Sequence, residues 1–123
     1  MATCTCGSDS KNLVYACSGA ANTGLLADRV ARQISIMGAG SMTCLAAMGA
    51  NLDGFVTSAG CAKMNLVIDG CPVACGKAIF EKLGIPFEHA VITNYGVEKG
   101  KTAITDSLGA EITERIIADK KLI

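Results

Sequence analysis

The stretch Asn65-Leu66-Val67-Ile68-Asp69-Gly70-Cys71-Pro72-Val73-Ala74-Cys75-Gly76-Lys77-Ala78-Ile79-Phe80 decides how the chain is read. An apolar run without alternation, as buried parallel strands show, turns through Asp69-Gly70 into a helix opened by a proline. Pro72 suits the first helical position because its missing N–H has no partner there, which predicts Cys71 as the N-cap and Cys75 four residues on, along one face. The helix is expected to run from Pro72 to Leu83 and to stop at Gly84, with Pro86 beyond. Two thiols at a helix N-terminus sit where unpaired amides favour anions, and a thiolate is what a soft metal or a nucleophilic reaction requires.

Outward from this segment the same alternation recurs. Asn12 to Ala16 reads as a first strand ending at Cys17. A small-residue turn follows, Ser18 to Gly24, and Leu26, Val30, Ile34 and Met37 then repeat at helical spacing with Asp28, Arg29 and Arg32 on the other face, giving an amphipathic helix from near Thr23 to just before Gly38. Ser41 to Leu45 is a short second strand with Cys44 at its end. Residues 46–60 allow a helical turn around Leu52, Phe55 and Val56. Glu88 to Thr93 gives the fourth strand, Gly96 to Thr102 a polar loop, and Leu108, Ile112 and Ile116 mark a last helix with Glu111 and Arg115 as a surface pair.

Strands alternating with helices predict an α/β domain of three layers with a mostly parallel four-stranded sheet, order 2-1-3-4, Rossmann-like in its winding. Residues 1–11 form a flexible tail and residues 12–123 one domain, as 123 residues suggest. Half of the residues are hydrophobic but only 4% aromatic, so the interior is built from Ala, Val, Ile, Leu and Met. Functional groups of such sheets gather beyond the carboxyl ends of the strands, at the switch point between strands one and three. Cys17, Cys44, Cys71 and Cys75 should therefore share one edge, although any one of them alone reads as a small buried hydrophobe.

Eleven basic and eleven acidic residues cancel, and no basic cluster marks a nucleic-acid partner. The chain shows neither a secretory leader nor a membrane span, so a cytoplasmic protein is expected. Seven cysteines in that compartment point to metal or redox chemistry over a disulfide framework. Cys4 and Cys6 form a Cys-x-Cys in the tail, suited to incidental thiols or to an arm that reaches the cluster. Cys61 is expected in core or loop, and His89 in a surface or packing role far from the cysteine edge. The turn from Gly19 to Gly24 lacks the spacings of a phosphate loop, so it reads as ordinary helix entry.

Three segments together, Cys17-Ser18-Gly19-Ala20-Ala21-Asn22-Thr23-Gly24, Met42-Thr43-Cys44-Leu45-Ala46-Ala47-Met48-Gly49 and Ile68-Asp69-Gly70-Cys71-Pro72-Val73-Ala74-Cys75, resemble the DGC-domain family, named for its Asp-Gly-Cys tripeptide. The similarity runs from about Leu13 to about Lys101. It implies metal binding, zinc above all, through four cysteines that map onto Cys17, Cys44, Cys71 and Cys75, and it supplies no activity. An iron-sulfur centre or another thiophilic ion fits the same donors. Helix N-termini and Lys77 are candidates to offset the charge of four thiolates. The alternative is a thiol redox or sulfur-transfer enzyme in which Cys71 attacks and Cys75 or Cys17 resolves. It lacks a neighbouring histidine as base, while Asp69 reads equally as base, turn former or cap.

Overall fold

A computed structural model describes residues 11–123 and sets the elements in the order β1 (Asn12–Ala16), α1 (Asn22–Ile36), β2 (Ser41–Met42), α2 (Leu45–Gly49), α3 (Asp53–Cys61), β3 (Met64–Asp69), α4 (Cys75–Leu83), β4 (Glu88–Val91), a 3-10 turn (Ile92–Tyr95) and α5 (Asp106–Asp119). The four strands pair in the order β2-β1-β3-β4, and every pairing is parallel. This is the sheet read from the sequence.

Alternation along the strands builds the layers. Val14, Ala16, Leu66 and Ile68 face a core closed by Leu26, Val30 and Ile34 of α1 and by Ile112 and Ile116 of α5. Tyr15 and Val67 face the other way, onto Met48 of α2, Ala59 of α3 and Phe80 of α4. Phe80 meets Tyr15 edge-on at 4.7 Å between ring centroids, and the buried Tyr15 hydroxyl donates to Asn65 Oδ1 at 2.7 Å. Asn65 in turn donates to the carbonyls of Ala59 and Pro86, so a polar side chain inside the strand has its partners.

Several boundaries differ from the reading of the sequence, each for a local reason. Helix α4 begins at Cys75, after a turn closed by the Ala74 N–H donating to the Cys71 carbonyl at 3.0 Å. Pro72 thus takes the second position of a β-turn, where its fixed φ is equally at home. Ala74 precedes the helix in the left-handed region, φ 54° and ψ 52°, a conformation that costs a non-glycine residue about 1 kcal/mol. Strand β2 is only two residues long, and Cys44 lies past its end, at the N-cap of α2. Residues 46–60 contain most of α2 and α3. Met37 lies beyond the end of α1, 45% exposed. Strand β4 ends at Val91, where the chain tightens into the 3-10 turn. Arg115 does not mark a Glu111 pair: its guanidinium lies 4.8 Å over the Tyr95 ring and donates to the Tyr95 carbonyl. No helix among the described residues is long and apolar enough to cross a membrane. The expectations for Cys4, Cys6 and the rest of the tail up to residue 10 lie outside the described residues; the carbonyl of Lys11, its last residue, accepts from the Lys63 N–H at 2.9 Å.

Candidate metal and thiol site

The free cysteines among the described residues are Cys17, Cys44, Cys71 and Cys75, and all four follow the carboxyl ends of β1, β2 and β3. Cys17 extends the ladder by donating its N–H to the Ile68 carbonyl at 2.9 Å, which brings the loop after β1 against the loop after β3. Glycines make that approach close. A Cβ on Gly70 would lie 2.8 Å from Gly24 N and from the Thr23 carbonyl carbon, and a Cβ on Gly24 would lie 2.6 Å from the Gly19 carbonyl oxygen. The small-residue turn therefore serves backbone packing between the two cysteine loops. Cys61 closes α3, just before β3 begins, so it belongs to the other end of the sheet and not to this edge.

Asp69 anchors the second loop. It ends β3 almost fully buried, 1% exposed, and its carboxylate accepts from the Gly76 N–H at 2.8 Å and the Lys77 N–H at 3.1 Å. These are first-turn amides of α4, which has no side-chain cap of its own, so the strand end supplies the cap. The expected Cys71 N-cap is replaced by this longer-range one. His89 is also placed differently from expectation. It pairs with Val67 in the parallel register, which puts its side chain on the face that Asp69 shares, and its Nε2 lies 2.7 Å from Asp69 Oδ2. His89 thus supports the cysteine edge through the aspartate that holds α4.

The four thiols have unlike surroundings. Burial pushes the Cys17 thiol above the ordinary thiol range, the amides of Gly19 and Gly70 pull the other way, and the negative charges of Asp69 and Cys75 add smaller upward pushes. Cys17 is therefore a neutral thiol at pH 7. Its thiolate forms less readily than that of an ordinary cysteine, and only the thiolate alkylates. We expect iodoacetamide at pH 8 to label the exposed Cys44 about ten times faster than Cys17, with the Cys17 rate still climbing at higher pH. Peptide mapping of a labelling time course checks this, and equal rates at the two positions would contradict it.

Cys44 and Cys17 share the wall of an open cleft of about 840 Å³ whose other linings include Met42, Leu45, Phe55 and Ile79. At its rim Arg32 binds Asp28 at 2.7 Å, which together with the Ser18 hydroxyl holds the Asp28 carboxyl below its usual range. Cys71 has a different neighbour: Lys99 Nζ donates to its sulfur at 3.4 Å. Lys77, expected to offer charge here, contributes its backbone N–H to Asp69. Among the described residues no three His, Cys, Asp or Glu side chains are grouped closely enough to cage a cation as they stand. The topology thus gathers the thiols along one edge without forming a ready-made cage.

Sequence reasoning missed Lys99 and the link from His89 to Asp69; of the roles it left open for Asp69, capping is the one seen. His89 could have been found from the register, since a residue opposite Val67 shares a face with Asp69. Lys99 gives no such signal, because the loop that carries it folds back from 28 residues away in sequence.

The family model of the DGC domain matches residues 13–118. The anaerobic and virulence modulator AnvM of Pseudomonas aeruginosa is 32% identical over 92 residues, which cover 74% of this chain and 70% of that protein. No solved structure matches the chain significantly.

Proposed function

The chain belongs to the DGC-domain family, and from that premise we propose that its cysteine edge holds one soft ion such as zinc through Cys17, Cys44, Cys71 and Cys75. The observation that carries this reading is the position of the free thiols: every one among the described residues follows the carboxyl end of a strand on the same edge. Four sulfur donors suit a soft or borderline cation, and a bound zinc ion would keep the thiols deprotonated and cross-link the loops that carry them.

The chain's own groups balance the charge this creates. Four thiolates around a divalent ion carry a net charge of minus two. The amides of Gly19 and Gly70 point at Cys17, the first turn of α4 opens at Cys75, and the Lys99 ammonium stands at Cys71; all favour negative charge at the edge. Two apolar cores flank the sheet, so we read the fold as standing without an ion. That favours loading and release, a handling or sensing role, over a structural staple. A modulator, as the Pseudomonas relative is named, is in keeping with such a role.

The test is a thiol count. Adding one equivalent of zinc to the reduced, metal-free protein should protect about four thiols from a chromogenic disulfide reagent, and a chelator should release them; unchanged reactivity would remove the proposal. Cys71→Ser and Cys75→Ser should each bind zinc at least about tenfold more weakly, yet melt within about 5 °C of the metal-free wild type. Collapse of either variant in circular dichroism would instead make the site a staple. A second reading, thiol redox or sulfur transfer with Cys71 as nucleophile and Cys75 or Cys17 resolving, draws its support from the Lys99 contact at Cys71.

A further inference from the structure

The loop that carries Lys99 is tied down by a buried residue and by hydrogen bonds within it and to α1. Val97 is buried, 3% exposed, and pins one end. The Thr102 Oγ1 accepts from the Glu98 N–H at 2.8 Å, while the Lys101 and Thr102 N–H groups both donate to the Glu98 carbonyl. Gly100 supplies the left-handed turn, φ 81°. Asn22, the first residue of α1, then ties this loop to the cysteine edge with three hydrogen bonds: its Nδ2 donates to the carbonyls of Glu98 at 3.1 Å and Thr102 at 2.9 Å, and its Oδ1 accepts from the Gly100 N–H at 2.7 Å. The backbone is fixed on both sides of Lys99. From that backbone Lys99 Nζ reaches to 3.4 Å from Cys71 Sγ, within the range of about 3–3.5 Å at which two atoms are poised to react.

We propose that Cys71 and Lys99 form a redox modification site, in which a peroxide-oxidised Cys71 is captured by the Lys99 amine as a sulfenamide cross-link. In the first step the Cys71 thiolate attacks hydrogen peroxide. The O–O bond breaks, one oxygen passes to sulfur as a sulfenic acid, and the other leaves as water after taking a proton. Sulfur loses two electrons and the peroxide gains them. In the second step Lys99, having released its ammonium proton to solvent, attacks the electrophilic sulfur through the nitrogen lone pair. The S–N bond forms, the S–O bond breaks, and the hydroxyl leaves as water with a proton from nitrogen. The sum is one thiol, one amine and one peroxide going to one S–N bond and two waters. A cellular dithiol reverses it: one thiol attacks sulfur and expels the amine, and the second resolves the mixed disulfide. The inference needs no bound ion, so it stands or falls separately from zinc binding; an ion held through Cys71 would shield the sulfur.

Lys99 is the trapping nucleophile and Asn22 a positioning residue. The full-length chain, reduced and freed of metal with a chelator, is treated with limiting hydrogen peroxide and digested without reductant. The expected product is a peptide pair joined at Cys71 and Lys99, two hydrogens lighter than the separate peptides, which dithiothreitol returns to its parts. Lys99→Gln should abolish the pair, and Cys71 should then accumulate as a sulfenic acid that dimedone labels. Asn22→Ala should cut the yield of the pair about tenfold, because displacement of about 1 Å from a reactive geometry has large effects on rate, without altering the secondary structure seen by circular dichroism. A disulfide from Cys71 to another cysteine as the main product would overturn the proposal. So would a bridge carrying an extra oxygen, or dimedone labelling of the wild type as strong as that of Lys99→Gln.

Discussion

Asp69→Ala is expected to destabilise the protein by about 3 kcal/mol, the cost of leaving buried polar groups without a partner. Its carboxylate is 1% exposed and serves two first-turn amides of α4 and the His89 ring at once. Removing it orphans all three. The helix has no cap of its own to fall back on, so the turn that carries Cys71 and Cys75 should loosen along with it. Asp69→Asn keeps one acceptor and should lose about half as much. Urea unfolding checks the sizes, and the corresponding fall in melting temperature for alanine is on the order of 10 °C. A loss below about 1 kcal/mol for Asp69→Ala would mean that α4 is capped some other way.

Gly70→Ala should act through distance. The added Cβ would stand 2.8 Å from Gly24 N and the Thr23 carbonyl carbon and 2.9 Å from the Thr23 oxygen, all backbone atoms that cannot turn aside. The loops after β1 and β3 must move apart, at a cost of about 2–3 kcal/mol, and that motion separates Cys17 from Cys71 and Cys75. We therefore expect zinc affinity to fall more than about tenfold, well beyond what lower stability alone explains for protein that is still folded. Gly54→Ala is the control: nothing lies within 4 Å of its Cβ, it sits in α3, and helix propensity predicts a gain of up to about 1 kcal/mol. If Gly70→Ala and Gly54→Ala bind zinc alike, the packing of the two loops does not set the site.

The sheet was legible because its evidence is local and periodic. Buried parallel strands read as unbroken apolar runs at Val14 and at Leu66 to Ile68, α1 shows its stripe at Leu26, Val30 and Ile34, and the order 2-1-3-4 follows from how such crossovers wind. The shared edge of the free thiols followed from that topology. What stayed hidden is of longer range. The start of α4 is set by Asp69 reaching past the turn and by Ala74 in a left-handed conformation; capping was one of three roles open for Asp69, and Ala74 leaves no mark in a sequence where Pro72 already suits a first helical position. The loop of Lys99 is held by Asn22 from 78 and 80 positions away in sequence. The glycines of the turn after Cys17 look like helix entry, and their reason appears only when the neighbouring loop is in place.

Metal content decides whether the cysteine edge holds an ion. Elemental analysis of the native chain, purified without added metal or chelator, is to be set beside that of a variant with Cys17, Cys44, Cys71 and Cys75 all replaced by serine. About one equivalent of zinc or another thiophilic metal per chain is expected in the first and none in the second, with both unfolding cooperatively. Equal metal content in the two proteins, or none in the native chain even after equilibration with zinc, would contradict that expectation.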